Sequence, residues 1–441
     1  GAKKIGHLVQ DYDVMIPVGG ITHFLGDAVA LVVAENAAAL EAGKAAVAVE
    51  YEPLTPILSP ADASRDGFAL VHPEREDNLL SYQFVKRGNA DEVIQNSAHV
   101  VTNHYSVPFT DHAFLEPECA VAELEGDGVH IYSGDQGVYQ TRKECSSMLG
   151  LPPERVRVTA MMVGGGFGGK EDMSVQHHAA LACWLLRRPV KVRFSRADSL
   201  QIHPKRHAME MDFTTACDES GRLTAMRARI VADSGAYASL GGPVLQRACT
   251  HAAGPYNYQH VDIEGYAYYT NNPPGGAFRG FGVTQSCFAT ECNINQLAER
   301  VGMTPFEFRY LNGIRPGQIL PNGQVADETT ALIETLDAVR PILERNPKAG
   351  VACAIKNSGL GVGVPDVGRC RIEVLEGKLH LHSSAACIGQ GMGTIQTQFV
   401  REITGLPLEK IIYHVPDTAS APNSGNTTAS RQTLFTGEAA V

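Results

Sequence analysis

A glycine-rich stretch constrains the fold and function of this chain more than any other feature. Residues 164–171 read Gly-Gly-Gly-Phe-Gly-Gly-Lys-Glu, and they separate an apolar, strand-like run at 156–163 from a helical pattern at 172–188. Glycine permits both a tight turn and a close approach of the backbone, and a turn between a strand and a helix brings backbone amides towards an anionic ligand. The stretch therefore predicts a binding site for a phosphate-bearing cofactor.

Two alternative roles for residues 164–171 stay open on the residues alone. Gly164, Gly169 and Lys170 match the first seven positions of the P-loop pattern G-x-x-x-x-G-K-[ST]. Glu171 takes the next position, where Mg²⁺ needs a hydroxyl ligand, and a carboxylate there would repel phosphates, so the pattern disfavours a nucleotide-binding P-loop module. A glycine-rich turn that only lets a strand and a helix pack closely is the second alternative.

Three further loops of small and polar residues also lie at predicted element boundaries. They are 277–282 (Ala-Phe-Arg-Gly-Phe-Gly), 388–393 (Ile-Gly-Gln-Gly-Met-Gly) and the Ser-, Gly-, Asn- and Thr-rich stretch 423–431. Strand-like runs precede the first two, at 263–270 and 378–383. Together with the glycine-rich stretch, these loops predict that one ligand is held from several sides.

Length and composition restrict the classes of protein to which this chain can belong. A length of 441 residues is enough for two or three domains, and 44 glycines, 24 prolines and 19% charged residues fit a loop-rich α+β protein with a large interior. A net charge of −11 disfavours a nucleic-acid partner. No apolar run reaches the ~18 residues of a membrane span, and no signal peptide is visible, so we expect no membrane span and a cytoplasmic protein.

The ten cysteines are scattered along the chain and form no C-x-x-C pair. Their spacing matches neither a zinc site nor an iron–sulfur cluster, and a disulfide framework is not expected in a chain of this length. We therefore expect reduced thiols. If the chemistry is redox, the electron carriers must lie on another polypeptide.

Local patterns divide the chain into three successive parts. In residues 1–63, strands at 27–34 and 47–52 flank a helix at 36–46, as in the end of an α/β unit. In residues 64–347 we expect strands at 98–107, 118–124, 129–133, 155–162, 190–195, 208–216, 223–233 and 261–270. In the same part we expect helices at 136–149, 172–188, 284–301 and 329–345, and Thr304-Pro305 should begin a further, short helix. In residues 348–441 we expect strands at 351–357, 369–376, 378–384 and 410–415 and a helix at 391–404. Thr436-Gly437-Glu438 resembles a helix start, so we expect this polypeptide to be incomplete by itself.

The motifs together resemble those of the molybdopterin-binding subunit of the molybdenum hydroxylases, the xanthine dehydrogenase and aldehyde oxidoreductase family. Asp135-Gln136, the glycine-rich stretch with Lys170-Glu171, Gln246-Arg247, residues 277–282 and Gly389-Gln390-Gly391 occur in the family's order and at compatible spacings. The resemblance runs along nearly the whole chain. It implies an α+β fold with the end of an α/β hammerhead domain at 1–63, a first molybdopterin-binding domain at 64–347 and the start of a second at 348–441.

The resemblance implies an oxidoreductase that hydroxylates a carbon bonded to nitrogen, or an aldehyde, with water as the oxygen source. The implied cofactor is molybdenum on molybdopterin, in its cytosine dinucleotide form and with a sulfido or selenido ligand. The implied partners are an iron–sulfur subunit with 2Fe-2S clusters, an FAD subunit and a small-molecule substrate. The loop at 356–365 is also similar to the selenium-dependent branch of the family.

Functional residues carry over from the family to this chain by their positions in the motifs. The implied catalytic residues are Gln136, Glu171, Arg247 and Phe281. The implied cofactor-binding residues are Gly166, Phe167, Gly168, Phe278, Arg279, Gly280, Gly389, Gln390, Gly391, Thr427, Ala429 and Ser430. No side chain is expected to ligate the metal, which the pterin holds, while Gln136, Phe167 and Arg279 are expected near its oxo ligands.

For three of these side chains, the residue type is also compatible with an ordinary structural role. Gln136 also suits the first turn of a helix, and Phe281 suits an ordinary core position. Arg279 has apolar flanks and no acidic neighbour in sequence. This favours a buried guanidinium paired with an anionic group over a surface salt bridge.

The substrate is the least constrained part of this interpretation. Glu171 and Arg247 match residues that purine-acting members use to orient the ring, which favours xanthine or a related purine. Where the xanthine enzymes carry a second stacking Phe followed by Thr, this chain has Ser358-Gly359-Leu360, within the glycine-rich stretch 359–363. A nicotinate-type substrate, another N-heterocycle or an aldehyde therefore stays open.

The family's general base is a glutamate that lies beyond the Gly-Gln-Gly and Ser/Thr loops. Neither Glu171 nor Glu438 occupies its position. The resemblance therefore implies that activity needs a second molybdopterin-subunit polypeptide that carries this glutamate.

Overall fold

The computed structural model of this chain describes residues 1–65, 67–361 and 364–441, which form an α+β arrangement as expected. The strands are β1 (Lys4–Ile5), β2 (Tyr12–Asp13), β3 (Leu79–Arg87), β4 (His99–Val107), β5 (Cys119–Glu125), β6 (Gly128–Ser133), β7 (Val156–Ala160), β8 (Val190–Arg193), β9 (Met209–Cys217), β10 (Leu223–Gly235), β11 (His260–Tyr269), β12 (Arg371–Leu375), β13 (Lys378–His382) and β14 (Ile411–His414). The helices are α1 (Ala37–Ala46), α2 (Pro60–Ala63), α3 (Ala90–Gln95), α4 (Val138–Leu149), α5 (Gln176–Leu186), α6 (Arg196–Ile202), α7 (Gly241–His251), α8 (Val283–Val301), α9 (Pro305–Asn312), α10 (Leu332–Arg345), α11 (Met392–Thr404) and α12 (Gly437–Ala440). Val362 and Gly363, which belong to the predicted 356–365 loop, lie outside the described residues.

The largest sheet carries the main core. Its strand order is β3-β11-β10-β9-β4, with β10 and β11 parallel and the other neighbours antiparallel. Residues of β11 alternate between buried and half-buried, because successive side chains of a strand point to opposite faces. The buried face packs against α7 and α8, and this packing positions both helices.

A second sheet leads into the glycine-rich loop. Its order is β7-β6-β5-β8, and α4 and α5 pack against it. Strands β6 and β7 are parallel neighbours, with Ser133 opposite Ala160. Because the carboxyl ends of neighbouring parallel strands lie at one edge of a sheet, the segments that contain Gln136 and residues 164–171 begin side by side.

The third sheet belongs to the C-terminal part of the chain. Its order is β12-β13-β14, with α11 packed against it. The segment after β14 pairs with β7, since the Ala160 amide donates to the Pro416 carbonyl oxygen at 2.8 Å and the Thr418 amide donates to the Val158 carbonyl oxygen at 3.0 Å. These bonds attach the C-terminal part to the edge of the second sheet, so residues 423–431 start close to the glycine-rich loop.

The sequence predicts many of these elements to within a few residues, but three predicted strands are wrong. No strand forms at 27–34, 47–52 or 351–357, all of which lie in the described part of the chain. No residue of the first two segments is buried, and every residue at 47–52 is exposed, although the helix predicted between them is confirmed as α1. At the third, the Cys353 amide donates to Glu291 Oε2 at 2.8 Å. A strand needs a neighbouring backbone ladder, and these segments have none.

Strand β3 and helix α7 are absent from the sequence-based prediction. The helix begins with Gly-Gly-Pro at 241–243, which by local pattern indicates a turn. Val244, Leu245 and Ala248 are almost completely buried in the main core. Tertiary packing therefore overrides the local preference of this segment.

Two further findings bear on the composition of the chain. All ten cysteines are described and are free thiols, and five of them are buried. Among the described helices, none combines the length and the apolar character needed to cross a membrane.

A buried ion pair ties α8 to α9 and to the segment that follows α10. Glu291 accepts hydrogen bonds from Arg309 Nε at 2.8 Å, from the Tyr256 hydroxyl at 2.6 Å and from the Cys353 amide at 2.8 Å. Arg309 is fully buried. Removing one partner of such a pair leaves an uncompensated buried charge.

We expect Glu291→Gln to lower the free energy of unfolding by about 3–5 kcal/mol, because Arg309 would stay buried without its counter-charge. Chemical denaturation followed by circular dichroism measures this change. Asp337→Asn removes the exposed partner of Arg340 and is the control, with an expected cost below ~1 kcal/mol. Equal costs for the two substitutions would contradict this account of the ion pair.

Candidate functional site

Gln136 joins two loops that are far apart in sequence. The residue is 1% exposed. Its Oε1 accepts the Gly168 amide at 3.0 Å, and its Nε2 donates to the Thr427 carbonyl oxygen at 2.7 Å. Its backbone repeats this pattern, since its amide donates to the Lys170 carbonyl oxygen at 3.0 Å and its carbonyl oxygen accepts the Thr427 amide at 2.7 Å. Gln136 therefore holds the glycine-rich loop and the 423–431 loop against each other.

Glycine is required at two positions of the glycine-rich loop. A Cβ at Gly166 would lie 2.6 Å from Gln136 Oε1, and a Cβ at Gly168 would lie 2.6 Å from the Ala277 carbonyl oxygen. Gly168 also has a φ of +104°, which residues with side chains rarely adopt. The loop thus makes the close approach that the sequence predicts, and its near neighbours are other loops of the protein.

The 277–282 loop lies directly against the glycine-rich loop. The Arg279 amide donates to the Phe167 carbonyl oxygen at 2.8 Å. The side chain of Arg279 is exposed, so the prediction that it is buried is wrong, because its backbone rather than its side chain contacts the neighbouring loop. Among the described residues, no carboxylate lies within ion-pair distance of its guanidinium, which leaves the alternative of a surface salt bridge without support.

Two residues that the sequence analysis does not single out hold the Phe278 ring. His112 stacks on this ring with centroids 3.9 Å apart and 17° between the planes, and the guanidinium carbon of Arg206 lies 3.9 Å from its centroid. His112 Nε2 also contacts the Ala277 carbonyl oxygen at 2.8 Å. No local pattern signals this group, because folding alone brings His112 and Phe278 together.

The loop after β13 is connected to the same region. Thr427 Oγ1 donates to the Ala386 carbonyl oxygen at 2.8 Å. Gly389 and Gln390 are exposed, and a Cβ at Gly389 or Gly391 would meet no described atom within 4 Å. The Gly-Gln-Gly turn is therefore attached to the loop of Thr427 and presents its backbone to open space.

Backbone strain concentrates in these loops. Eight described residues other than glycine have positive φ, and four of them are predicted site residues: Phe167 (+55°), Phe281 (+50°), Ala429 (+48°) and Ser430 (+53°). Such conformations cost about 1–3 kcal/mol each and persist where the surroundings impose them. Strain of this kind clusters at ligand-binding sites, which supports a functional role for these segments.

Glu171 is mainly uncharged at neutral pH. The residue is 7% exposed. Burial raises the pKa of its carboxyl group to about 8, and a hydrogen bond with Thr428 partly offsets this effect. The sequence suggests a carboxylate that repels phosphates, whereas the folded protein presents a protonated group that can both donate and accept hydrogen bonds.

The surroundings of Lys170 argue against the P-loop alternative. Lys170 is buried, its Nζ donates to the Glu116 carbonyl oxygen at 2.9 Å, and it lies 4.5 Å from the centroid of the Phe114 ring. Helix α5 begins at Gln176, later than the predicted 172–188, because the side-chain oxygen of Gln176 accepts the preceding amide and holds a non-helical turn. The lysine therefore points into the protein, and the loop does not open directly into a helix.

The structure also tests the ordinary structural roles left open for two residues, the helix start for Gln136 and the core position for Phe281. Asp135, not Gln136, supports the start of α4, since its carboxylate accepts the Gly137 amide at 3.1 Å and the Thr141 hydroxyl at 2.7 Å. Phe281 is half-buried and packs against the main core. Its role as a ring that stacks on a substrate stays a prediction.

Arg247 lies on α7 and reaches the segment around Leu360. It is 7% exposed, and its guanidinium donates to the Leu360 carbonyl oxygen. The neighbouring Gly359 amide donates to the Ala429 carbonyl oxygen at 2.8 Å. Contacts therefore link Arg247 to the loop of Ala429, but no hydrogen bond or ion pair of the described structure joins Arg247 to Glu171.

This arrangement matches known proteins in sequence and in structure. Residues 71–313 and 339–441 each match a family model described as a molybdopterin cofactor-binding domain. A probable xanthine dehydrogenase subunit of Bacillus subtilis (strain 168) is 34% identical over 445 residues, covering 98% of this chain and 59% of that protein. The nicotinate dehydrogenase large molybdopterin subunit of Eubacterium barkeri is 35% identical over 341 residues, covering 77% of this chain and 79% of that protein.

A solved structure shows the same likeness. The aldehyde oxidoreductase from Desulfovibrio gigas superposes with a TM-score of 0.85 at 31% sequence identity. The superposition covers 92% of this chain and 46% of that one. This chain thus spans between 46% and 79% of the length of each of the three proteins.

We expect Glu171→Gln to make the protein less sensitive to rising pH. The folded-state pKa of about 8 lies above the ordinary value of 4.5, so the stability from the protonated carboxyl is complete below the ordinary value and is lost as the pH rises through about 8. The fall in the free energy of unfolding from about pH 5 to pH 9 should shrink by on the order of a few kcal/mol in the variant.

Urea denaturation at both pH values measures this effect. Glu438→Gln, at an exposed carboxyl, is the control for a change of charge alone. An unchanged pH dependence in Glu171→Gln would show that the wild-type carboxyl is already ionised.

Proposed function

This chain belongs to the molybdenum hydroxylase family, and we propose that it is the molybdopterin-binding part of an oxidoreductase that hydroxylates an N-heterocycle with water as the oxygen source. The family inferred from the motifs is confirmed by the two domain matches. The observation that carries the proposal is the bridge made by Gln136, which joins the glycine-rich loop to the Ser/Thr loop. These are two of the four loops that the sequence predicts to hold one ligand.

The residues around the bridge fit an anionic pterin cofactor. A Cβ at Gly389 or Gly391 would meet no described atom within 4 Å, so a ligand can approach this turn closely, while the backbone amides of both residues face the Cys387 sulfur. Arg279 offers an exposed cation, which favours a phosphate. The raised pKa of Glu171 keeps this group mainly neutral, so it adds little repulsion.

Gln136 and four loop segments have a proposed part in holding the cofactor. When bound, molybdopterin with its molybdenum supplies a Lewis acid and a two-electron acceptor. Gln136 Nε2 has two donor hydrogens, and Thr427 engages one of them, so we assign the other to an oxo ligand. The proposed cofactor-binding segments are 166–168, 278–280, 389–391 and 427–430.

Glu171 and Arg247 support a purine such as xanthine as the substrate. A protonated Glu171 can donate to a ring nitrogen or oxygen, and Arg247 can stabilise negative charge that develops on the ring. Phe281 is the proposed stacking surface. One relative is named for xanthine and another for nicotinate, so a nicotinate-type ring is the second candidate and an aldehyde is the third.

The finer features of the cofactor also belong to the proposal. We infer the cytosine dinucleotide form and a sulfido or selenido ligand from the resemblance alone. The likeness to the selenium-dependent branch depends on the 356–365 loop, part of which lies outside the described residues. These features stay predictions.

The proposal includes partner polypeptides. Glu171 is hydrogen-bonded to Thr428, and Glu438 is exposed on α12, so neither is proposed as the general base. We assign that role to a glutamate on a second molybdopterin-subunit polypeptide. Iron–sulfur and FAD subunits would then carry the electrons away.

Elemental analysis of the purified complex tests the proposed cofactor. We expect stoichiometric molybdenum in the wild-type complex and a loss of roughly tenfold or more in Gly166→Ala, because the added Cβ would lie 2.6 Å from Gln136 Oε1. Gly350→Ala is the matched control, since its Cβ would meet no described atom within 4 Å. A wild-type complex without molybdenum would refute the proposal.

Reconstitution tests the proposed partner. The chain alone, supplied with cofactor, should not reduce a dye in the presence of xanthine, nicotinate or an aldehyde, because neither Glu171 nor Glu438 is proposed as the general base. Addition of the second polypeptide should restore dye reduction with one of these substrates. Substrate-dependent dye reduction by the chain alone would contradict the assignment of the base to a partner.

A further inference from the structure

A cluster of titratable side chains lies against the 277–282 loop. Its members come from the segment before β5 and from the segment after α6, and all but the first are buried: Asp111, His112, Glu118, His203 and Lys205. The cluster reaches the loop through His112, whose Nε2 lies 2.8 Å from the Ala277 carbonyl oxygen and whose ring stacks on Phe278. Folding therefore couples the charges of this cluster to the loop.

The contacts of His112 determine which of its nitrogens carries a hydrogen. A carbonyl oxygen only accepts hydrogen bonds, so Nε2 carries the hydrogen that it donates to Ala277. Burial lowers the pKa of His112 to about 3, so the ring is neutral at neutral pH and Nδ1 has no hydrogen. His203 Nε2 lies 3.1 Å from this Nδ1 and must therefore be the donor.

The second nitrogen of His203 also faces acceptors. Its Nδ1 contacts the Ser199 carbonyl oxygen and lies 3.3 Å from Glu118 Oε1. Since neither a carbonyl oxygen nor a carboxylate oxygen donates a hydrogen, Nδ1 must carry one as well. A histidine ring with a hydrogen on each nitrogen is an imidazolium cation.

The surrounding charges balance a cation at this position. Glu118 is 3% exposed, and its side-chain oxygens make no hydrogen bond within the part of the chain that the structure describes. Asp111 Oδ2 lies 3.7 Å from His203 Nε2 and accepts from Lys205 Nζ at 2.6 Å. With His203 charged, two carboxylates face two cations. With His203 neutral, Glu118 would be a buried charge with no ion-pair partner among the described residues.

Opposing effects act on the protonation of His203. Burial, the largest of them, and the nearby ammonium lower its pKa, whereas the two carboxylates and the backbone carbonyl oxygen raise it. Only the charged form gives both nitrogens a hydrogen, and the neutral form would set a bare nitrogen against either His112 or Ser199. Such an unsatisfied contact is costly in a buried cluster, so the hydrogen bonds decide in favour of the imidazolium.

We propose that His203 is a buried imidazolium and that, by donating to His112, it makes His112 a positioning residue for the 277–282 loop. The functional part of this inference rests on the proposed function, in which residues 278–280 bind the cofactor. The charged ring keeps His112 Nδ1 as an acceptor and so keeps the Nε2 hydrogen directed at Ala277. A hydrogen bond and a stacked ring then fix the loop before the cofactor binds.

Nitrogen-15 NMR of the purified complex, with labelled histidine in this chain alone, measures the protonation of His203. The scalar coupling across the N–H···N hydrogen bond to His112 identifies its ring. His380→Gln removes the signals of a second described pair, because His380 Nδ1 lies 2.8 Å from His414 Nε2. We expect both nitrogens of His203 to be protonated at neutral pH. A His203 ring with one bare nitrogen would overturn the inference.

Hydrogen–deuterium exchange of the same complex, measured on peptides that contain residues 277–282, tests the positioning. His112→Phe keeps a ring beside Phe278 and removes both ring nitrogens, whereas His112→Gln keeps a donor for Ala277 and removes the ring. Exchange should rise about tenfold or more in His112→Phe, because the Ala277 carbonyl oxygen and the His203 donor lose their partner. It should return close to the wild-type rate in His112→Gln. A wild-type rate in the Phe variant, or no recovery in the Gln variant, would overturn the inference.

His178→Phe is the matched control. His178 Nε2 also contacts a backbone carbonyl oxygen, that of Val14 at 2.9 Å, and this contact lies outside the 277–282 loop. The variant should therefore leave the exchange of that loop at the wild-type rate, and a rise equal to that of His112→Phe would overturn the assignment of the effect to His112.

Molybdenum analysis of the same preparations separates this inference from the proposed function. Where the wild-type complex contains molybdenum, His112→Phe should retain about tenfold less, and His112→Gln should retain close to the wild-type amount. Equal contents in the wild type and His112→Phe would overturn the positioning role and leave the proposed function standing. A wild-type complex without molybdenum refutes the proposed function, while NMR and exchange still decide the inference about His203 and His112.

Discussion

The hydrogen bonds of Gln136 are the constraint on which the rest of the site depends. One side chain accepts from Gly168, which is 32 residues away in sequence, and donates to Thr427, which is 291 residues away. A carboxamide can accept and donate at once, and at 1% exposure water does not replace a lost partner. With these loops held together, the neighbouring 277–282 loop and the Gly-Gln-Gly turn take their places through their own contacts.

Burial changes the electrostatics of the site in a way that net charge does not show. The chain as a whole carries a net charge of −11, yet Glu171 is mainly neutral because its pKa is raised. Arg279 is exposed, and Arg206 lies over the Phe278 ring beside it. The result is a local environment that favours anions inside an acidic protein. An anionic pterin would be stabilised there.

Local pattern accounts for the elements that frame the site and fails where distant contacts decide. Strands β6 and β7, the glycine-rich loop and helix α8 are predictable, because alternation, glycine and helical periodicity are local properties. The segment 351–357 alternates in burial as a strand would, but the Cys353 amide is satisfied by a glutamate on α8. Helix α7 begins with turn residues and is held by core packing, so Arg247 lies on an element that sequence does not predict.

The amino-acid sequence by itself determined where the glycine-bearing turns occur, which residue types they carry and the order of motifs by which the family can be recognised. Only the tertiary structure decided the protonation of Glu171, the exposure of the Arg279 side chain and the stacking of His112 on Phe278. A pKa depends on burial and on nearby charges, and these depend on which distant segments meet. Turn chemistry is set within a few residues, whereas burial is set by the whole fold.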